Sequence, residues 1–167
     1  MIAELMAVSA RTAPKSAGQD FLAIQILEGN DVQKLAANMV KFGEEKKKAN
    51  FDRDGKNTGD SHVVVLIGLK EDKPLGLNCG ACGYATCKEL TQAEKGEVEF
   101  RGPHCAYRLL DMGIALGSAV KTAGLLNADN RIMYRIGTVA RNMGLVDWEV
   151  VMGIPLSATG KSIYFDR

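Results

Sequence analysis

Apolar residues recur at helical and strand periods along most of the chain. Ile2, Leu5 and Met6, with Ser9 completing the i, i+3, i+4, i+7 set, predict a helix over residues 1–10. Pro14 disfavours helix in the residue before it, so 11–19, rich in small and polar residues, reads as a loop. A strand over 20–27 and a turn over 28–30 follow. Asn30 or Asp31 is placed to cap a second helix running to about residue 49, with Val32, Leu35, Ala36, Met39 and Val40 on one face. Its charged run, residues 44–48, reads as a solvated face with i,i+3 and i,i+4 pairing. Residues 51–60 are polar. Asp52, Asp54, Asn57 and Asp60 hint at calcium, but Gly55 falls at the fourth position of that set, where an EF-hand loop needs glycine at the sixth. The distal Glu is also missing, so the segment reads as an exposed turn. The unbroken apolar run 62–68 predicts a buried central strand, with His62 at its start as a capping or surface residue.

The second half repeats the alternation. Residues 88–95 read as a helix ended by Gly96, and Pro103 is placed to open a long helix over 104–126. That helix is apolar on most sides, leaving a narrow polar stripe through Arg108, Asp111 and Ser118. Such a helix belongs in a core or a subunit interface. Gly113 and Gly117 weaken it, which implies close approach by a neighbouring helix, a flat cofactor or a dimer mate. Asn127 or Asp129 caps a further helix ended by Gly144, with Ile132, Met133, Ile136, Val139, Ala140 and Met143 as its core face. Arg131 and Arg135, one turn apart, offer a phosphate site or two solvated arginines. Residues 148–154 form a last strand. The tail from 157 to 167 is too polar for a core and is expected to lie on a neighbouring surface. The whole reads as one α+β domain over 1–167.

At 167 residues the chain can bury a sizeable core. A net charge of +1 gives no basic field for nucleic acid. No apolar run is long enough to cross a bilayer, and Glu4, without a basic segment before it, argues against a signal peptide.

All four cysteines fall in residues 78–105: Cys79, Cys82 and Cys87 in a C-x2-C-x4-C run, then Cys105. Thiolates are soft ligands, and this set can close the shell of a [4Fe–4S] cluster. Gly80 and Gly83 suit tight loops around such a centre and free amides to face its sulfides. Structural zinc more often takes paired C-x2-C units, and a thioredoxin-like pair would leave two thiols without a role. A disulfide framework belongs to secreted chains. Thiols kept for a metal centre fit a reducing cytoplasm. His104, beside Cys105, is placed to donate to a cluster sulfur or move a proton, or else is a loop residue without a role.

The Cys-Gly-x-Cys-Gly-x-x-x-Cys run with a distant fourth cysteine resembles the small [4Fe–4S] module of ion-pumping ferredoxin oxidoreductase subunits and corrinoid iron–sulfur proteins. Ala10-Arg11-Thr12-Ala13-Pro14-Lys15, the cysteine stretch, and Gly153-Ile154-Pro155-Leu156-Ser157 through Phe165-Asp166-Arg167 together resemble short prokaryotic proteins described as ferredoxin domain-containing. More distantly, the element order and the Ala-Pro-Lys-Ser-Ala-Gly-Gln loop are similar to the FMN-dependent nitroreductase fold. That resemblance implies a central sheet flanked by helices and a flavin beside Arg11, Pro14, Lys15, Ser16, Ala17 and Gln19. It also implies a homodimer with the site at the subunit interface. An arginine pair usually grips the FMN phosphate in that family, and only Arg11 stands in that neighbourhood here. The combined expectation is an iron–sulfur redox protein, either a flavin-linked reductase or a carrier, accessory subunit or sensor without flavin. It would serve a redox partner protein or a small electron acceptor. Residues 158–162, Ala-Thr-Gly-Lys-Ser, imitate the end of a P-loop, but Pro155 stands where its first glycine belongs and no helix has room to follow.

Overall fold

The structure, a computed structural model, describes residues 1–165; Asp166 and Arg167 of the C-terminal motif lie outside the described residues. In chain order the elements are α1 (Ile2–Thr12), β1 (Leu22–Glu28), α2 (Asn30–Lys46), α3 (Phe51–Gly59), β2 (Val63–Leu69), α4 (Cys87–Gln92), β3 (Gly96–Glu97), β4 (Arg101–Gly102), α5 (Ala106–Leu125), β5 (Asp129–Asn130), α6 (Tyr134–Asn142) and β6 (Val150–Ser157). A single 3-10 turn, Ser16–Gly18, precedes β1.

The sheet runs β1-β2-β6-β5 with every neighbour antiparallel. Its position in the middle explains the unbroken apolar run of β2. Successive side chains point to opposite faces of a strand. Val65, Ile67 and Leu69 meet Ala10, Ala115 and Ala119 of α1 and α5. Val64 and Leu66 meet Leu35, Met39 and Ile136 of α2 and α6 on the other face. Both faces are covered, so neither can be polar, and each fully buried side chain of this size contributes roughly 1.5–3 kcal/mol. Helix α6 lies almost on the strand beneath it: a Cβ on Gly137 would stand 1.8 Å from the Val151 carbonyl oxygen, and one on Gly153 2.0 Å from Ile136 Cγ2.

Several expectations need correction. Residues 51–60 are not an exposed turn but helix α3, burying Phe51, Asp54, Gly55 and Thr58 at i, i+3, i+4 and i+7. Hydropathy hid the stripe because one member is a carboxylate held by two arginines and another a glycine pressed against the Ala36 carbonyl. Neither Asn30 nor Asp31 caps α2; Gly29 holds that position without a side-chain bond. Gly96 does not end a helix but begins the two-stranded hairpin β3–β4. His104 and Cys105 precede α5 rather than lying within it. Asn127 and Asp129 do not cap a helix, since a short strand, β5, intervenes before α6 starts at Tyr134. The tail folds back on its own chain, burying Tyr164 with its hydroxyl 2.8 Å from Ser61 Oγ.

Met112, Ala115, Leu116 and Ala119 of the long helix are buried as its pattern implies, but its first turns depart from that pattern. Arg108 and Asp111, read as the polar stripe, are buried, whereas Leu109, Leu110 and Ile114 are exposed. Among the described residues, nothing comes within 4 Å of a Cβ placed on Gly113 or Gly117.

Candidate metal centre

Residues 70–105 run outside the four-stranded sheet between β2 and α5, forming an arm that carries all four thiols and is pinned beside β6 where the Arg101 amide donates to the Glu149 carbonyl at 2.9 Å. Gly80 and Gly83 take φ of +74° and +88°, the left-handed region that glycine enters without penalty. The Gly83 amide donates to the Gly80 carbonyl at 2.9 Å, closing the turn between Cys79 and Cys82. Asn78 ties this turn to the third cysteine. Its Oδ1 accepts from the Cys87 amide at 2.8 Å, and its own amide donates to Cys87 Sγ at 3.4 Å. Thr86 Oγ1 accepts from the Glu89 amide at 3.2 Å, and the Glu89 carboxylate accepts from the Ala85 amide at 3.1 Å, so the start of α4 is capped from both directions.

Cys79 is exposed, Cys82 and Cys87 are half-buried and Cys105 is buried; none is in a disulfide. Cys105 sits at the N-cap of the 20-residue α5, where a helix terminus favours negative charge. It opens onto a cavity of about 240 Å³ shared with Pro74, Leu90, Thr91, Lys95 and His104. A four-thiol donor set fits a [4Fe–4S] cluster in number and softness. No three of the sulfurs lie within 4.8 Å of one another. A lone tetrahedral zinc would draw its thiolates to about 3.8 Å apart, given Zn–S bonds of about 2.3 Å. A cluster spreads its ligands around a larger body.

Beside Cys105 lies a group of charges centred on the buried His104. His104 Nδ1 is 2.9 Å from Asp72 Oδ1 and 3.6 Å from Glu149 Oε2. Its Nε2 meets the Arg101 carbonyl oxygen. Lys95 Nζ donates to both Glu149 oxygens at 2.7 Å and stands 3.8 Å from Asp72. Both imidazole nitrogens therefore face acceptors, and the ring must donate from each. Burial is the largest influence on His104 and works to lower its pKa; the hydrogen bonds to Asp72 and Arg101 and the charges of Asp72 and Glu149 outweigh it and raise the pKa. For Asp72, burial pulls upward, and the His104 bond, the His104 charge and Lys95 together bring the carboxyl below its ordinary value. Of these four residues only His104 was legible beforehand. The usable signal for the others is strand register: Leu69 pairs with Val150, so the chain leaving β2 and the chain entering β6 emerge at one end of the sheet.

The loop from 11 to 19 is arranged differently. Arg11 Nη1 donates to Asp20 Oδ2 and to the Leu22 carbonyl, both at 2.7 Å. Lys15 Nζ donates to the carbonyls of Ala10, Arg11 and Ala13 at 3.0, 2.7 and 2.8 Å, capping the end of α1. The Ser16 amide and hydroxyl both donate to Asp111 Oδ1 at 2.8 Å. Gln19 accepts from Arg108, whose guanidinium also donates to the Lys73 and Ser16 carbonyls and stacks 4.7 Å from the Phe21 ring centre. Ala17 sits between them at φ +55°, and Pro14 leads into the turn. Each polar side chain of that loop which the resemblance put beside a flavin is thus engaged inside the chain.

The remaining candidates also have structural partners. Arg135 donates to Asp54 at 2.8 Å, and Arg131 to the Tyr164 carbonyl at 3.3 Å. Thr159 Oγ1 donates to the Lys161 carbonyl at 2.7 Å within residues 158–162, and no helix follows among the described residues.

Residues 101–167 match the model of a family described as uncharacterized proteins containing a ferredoxin domain. An uncharacterized protein of Archaeoglobus fulgidus is 50% identical over 163 residues, covering 98% of this chain and 88% of that one. The chain belongs to this ferredoxin-domain family, whose description points to a redox role. The fold is shared more widely. A nitroreductase with bound FMN from Desulfitobacterium hafniense aligns with a TM-score of 0.60 at 10% identity, over 96% of this chain and 78% of that one. The FMN-dependent nitroreductase NfnB from Mycobacterium smegmatis, in complex with NADPH, gives 0.62 at 13% identity over 99% and 82%. Nitroreductase CinD from Lactococcus lactis, in complex with nicotinic acid, gives 0.58 at 15% identity over 99% and 83%. The chain therefore has the nitroreductase-like α+β fold expected, a central sheet flanked by helices. No helix among the described residues is long and apolar enough to cross a membrane.

Proposed function

We propose that this chain is an iron–sulfur electron-transfer protein, holding a [4Fe–4S] cluster on Cys79, Cys82, Cys87 and Cys105 in a reducing compartment such as the cytoplasm. One observation carries the reading: four unpaired thiols on a glycine-turned arm, with the Asn78 amide already directed at Cys87 Sγ. When bound, the cluster supplies one-electron transfer. The chain's own residues do the rest. Gly80 and Gly83 let backbone pass close to the centre, and the Asn78 amide hydrogen-bonds a ligand sulfur, a lever on potential. Cys79, the exposed ligand, lies on the side where a redox partner protein or a small electron acceptor would approach.

A flavin-linked reductase is the second reading. It is favoured by α5, whose first turns join Cys105 to the loop of Ser16 and Gln19 through Arg108 and Asp111. Electrons from a one-electron centre could then serve a two-electron reduction. The engaged side chains of that loop do not fit FMN as ligands, so we route no step through it. A homodimer belongs to either reading: Leu110, Gly113, Ile114 and Gly117 leave one face of α5 open, and a second copy is the partner we assign to it.

The test is the visible spectrum of anaerobically purified protein before and after dithionite, with iron, sulfide and flavin assayed on the same sample. A broad absorption bleached by dithionite, with iron and sulfide but no flavin, is the expected result. Released FMN moves the protein to the second reading. A colourless protein containing zinc overturns both.

A further inference from the structure

We propose that the charged group of Asp72, His104 and Glu149, with the exposed Lys95 bridging its two carboxylates, is the device that holds Cys105 in position for the other three thiols. The inference rests on the reading of Cys105 as a cluster ligand.

The first three cysteines share a short segment with its own turns. Cys105 arrives only after α4 and the β3–β4 hairpin, so its place relative to the others must be set by something outside that segment. Asp72 lies just beyond the end of β2, and Glu149 just before β6, where its amide donates to the Leu69 carbonyl at 2.8 Å. Both carboxylates thus stand at one end of the two central strands of the sheet. Lys95 follows the end of α4, the helix that Cys87 opens. His104 immediately precedes Cys105.

One set of ion pairs therefore fastens the end of these strands, the far end of the first cysteine segment and the residue next to the fourth thiol. Its geometry is restrictive. His104 is held from opposite sides, with Nδ1 2.9 Å from Asp72 Oδ1 and Nε2 against the Arg101 carbonyl oxygen, which fixes both the plane and the position of the ring. Lys95 spans Glu149 and Asp72. The side chains of His104 and Asp72 are each 4% exposed and that of Glu149 12%, whereas Lys95 is 36% exposed, so removing one of the three inner members leaves its partners poorly compensated. Partners that orient metal ligands in this way typically change metal retention 10–100-fold, by order of magnitude, when mutated.

The experiment follows release of iron to a chelator from the anaerobically reconstituted full chain, together with the EPR spectrum of the dithionite-reduced protein. Asp72→Asn should release iron about tenfold faster than the natural protein and shift its EPR features. Glu149→Gln should move both in the same direction and carries the test if Asp72→Asn does not fold. His104→Gln, which keeps a donor for Asp72, should recover part of what His104→Ala loses. Asp54→Asn is the control: it breaks a buried ion pair between α3 and α6, so it should lower the melting temperature and leave iron release unchanged. Natural protein without iron and sulfide sinks the ligand reading itself. Natural protein that loads normally, beside Asp72 and Glu149 variants with unchanged release and EPR, overturns the positioning role alone. Equal acceleration by Asp54→Asn overturns it too, as mere destabilisation.

Discussion

Two segments of this chain carry residues that a motif search would mark for a cofactor, and the structure treats them in opposite ways. On the arm from 70 to 105 the backbone is arranged around the thiols, while the thiols make no bond to one another. In the loop from 11 to 19 the side chains are arranged around the backbone. Lys15 caps α1, Ser16 is held by Asp111, and Gln19 by Arg108. Donor atoms left available for a ligand, rather than residue types alone, separate a candidate site from a structural joint. Mutations in the arm should therefore change what the protein binds, and mutations in the loop should change how stably it folds.

The largest effect is expected from Cys82→Ala. Iron and acid-labile sulfide should fall to background and the melting temperature should drop, since metal binding is coupled to folding. The sheet and its two cores lie outside the arm, so far-UV circular dichroism should retain the native pattern. Unchanged iron content in that variant would remove Cys82 from the ligand set and erase the contrast.

Arg108→Met comes next. The guanidinium is buried and serves Lys73, Ser16, Asp111 and Gln19 together. Removing it leaves the buried Asp111 carboxylate without its opposite charge, held only by the Ser16 amide and hydroxyl; breaking a buried pair in this way costs about 3–5 kcal/mol in comparable cases. Urea unfolding should show that loss, while iron bound per folded chain stays near the natural value. A stable Arg108→Met protein would mean that the loop is not the joint described here.

How much of this was legible in sequence depends on whether the residues obeyed a simple period. The strand at β2 was readable because a sheet covered on both faces demands apolar residues at every position. The first three thiols could be grouped because their spacing is local, whereas Cys105 comes only after α4 and the β3–β4 hairpin and joins them only in the proposal. Helix α3 was not, because its buried stripe includes Asp54, whose burial is possible only through Arg53 and Arg135. The first turns of helix α5 were misread for the same reason, although Met112, Ala115, Leu116 and Ala119 are buried as the pattern implies. Arg108 and Asp111 look like a solvent stripe until loop 14–20 is folded against them, and no local pattern records that contact. The charges around His104 were invisible except through the pairing of β2 with β6.

Lys15→Met tests the loop at a finer scale. Its side chain is 5% exposed and its ammonium is bonded to three carbonyls at the end of α1. Losing a charged donor of this kind lowers stability by about 1.5–3 kcal/mol. Denaturant melts should show the decrease, with the cluster spectrum unchanged. Intact stability accompanied by altered flavin content would reverse the assignment and make Lys15 a ligand.

The smallest effect belongs to Arg11, whose partner Asp20 lies nearer the surface. Burial is the largest influence on Asp20 and pushes its carboxyl upward. The hydrogen bonds from Arg11 and the Leu22 amide, with the charges of Arg11 and Lys15, outweigh burial and bring it below its ordinary value. A carboxyl lowered on folding stabilises the native state above its unfolded pKa, about 3.9, and loses that contribution as the pH falls through the still lower folded value. Arg11→Ala should therefore cost about 0.2–1 kcal/mol at neutral pH, as exposed ion pairs do. The gap between variant and natural protein should narrow below the unfolded pKa, and also in high salt, which screens exposed charges. The Leu22 carbonyl bond adds a part that acid leaves in place, because it does not depend on the charge of Asp20. Melts over the acid range measure the two parts separately. A gap independent of both pH and salt would assign Arg11 to the carbonyl alone, and the ion pair with Asp20 would drop out of the joint.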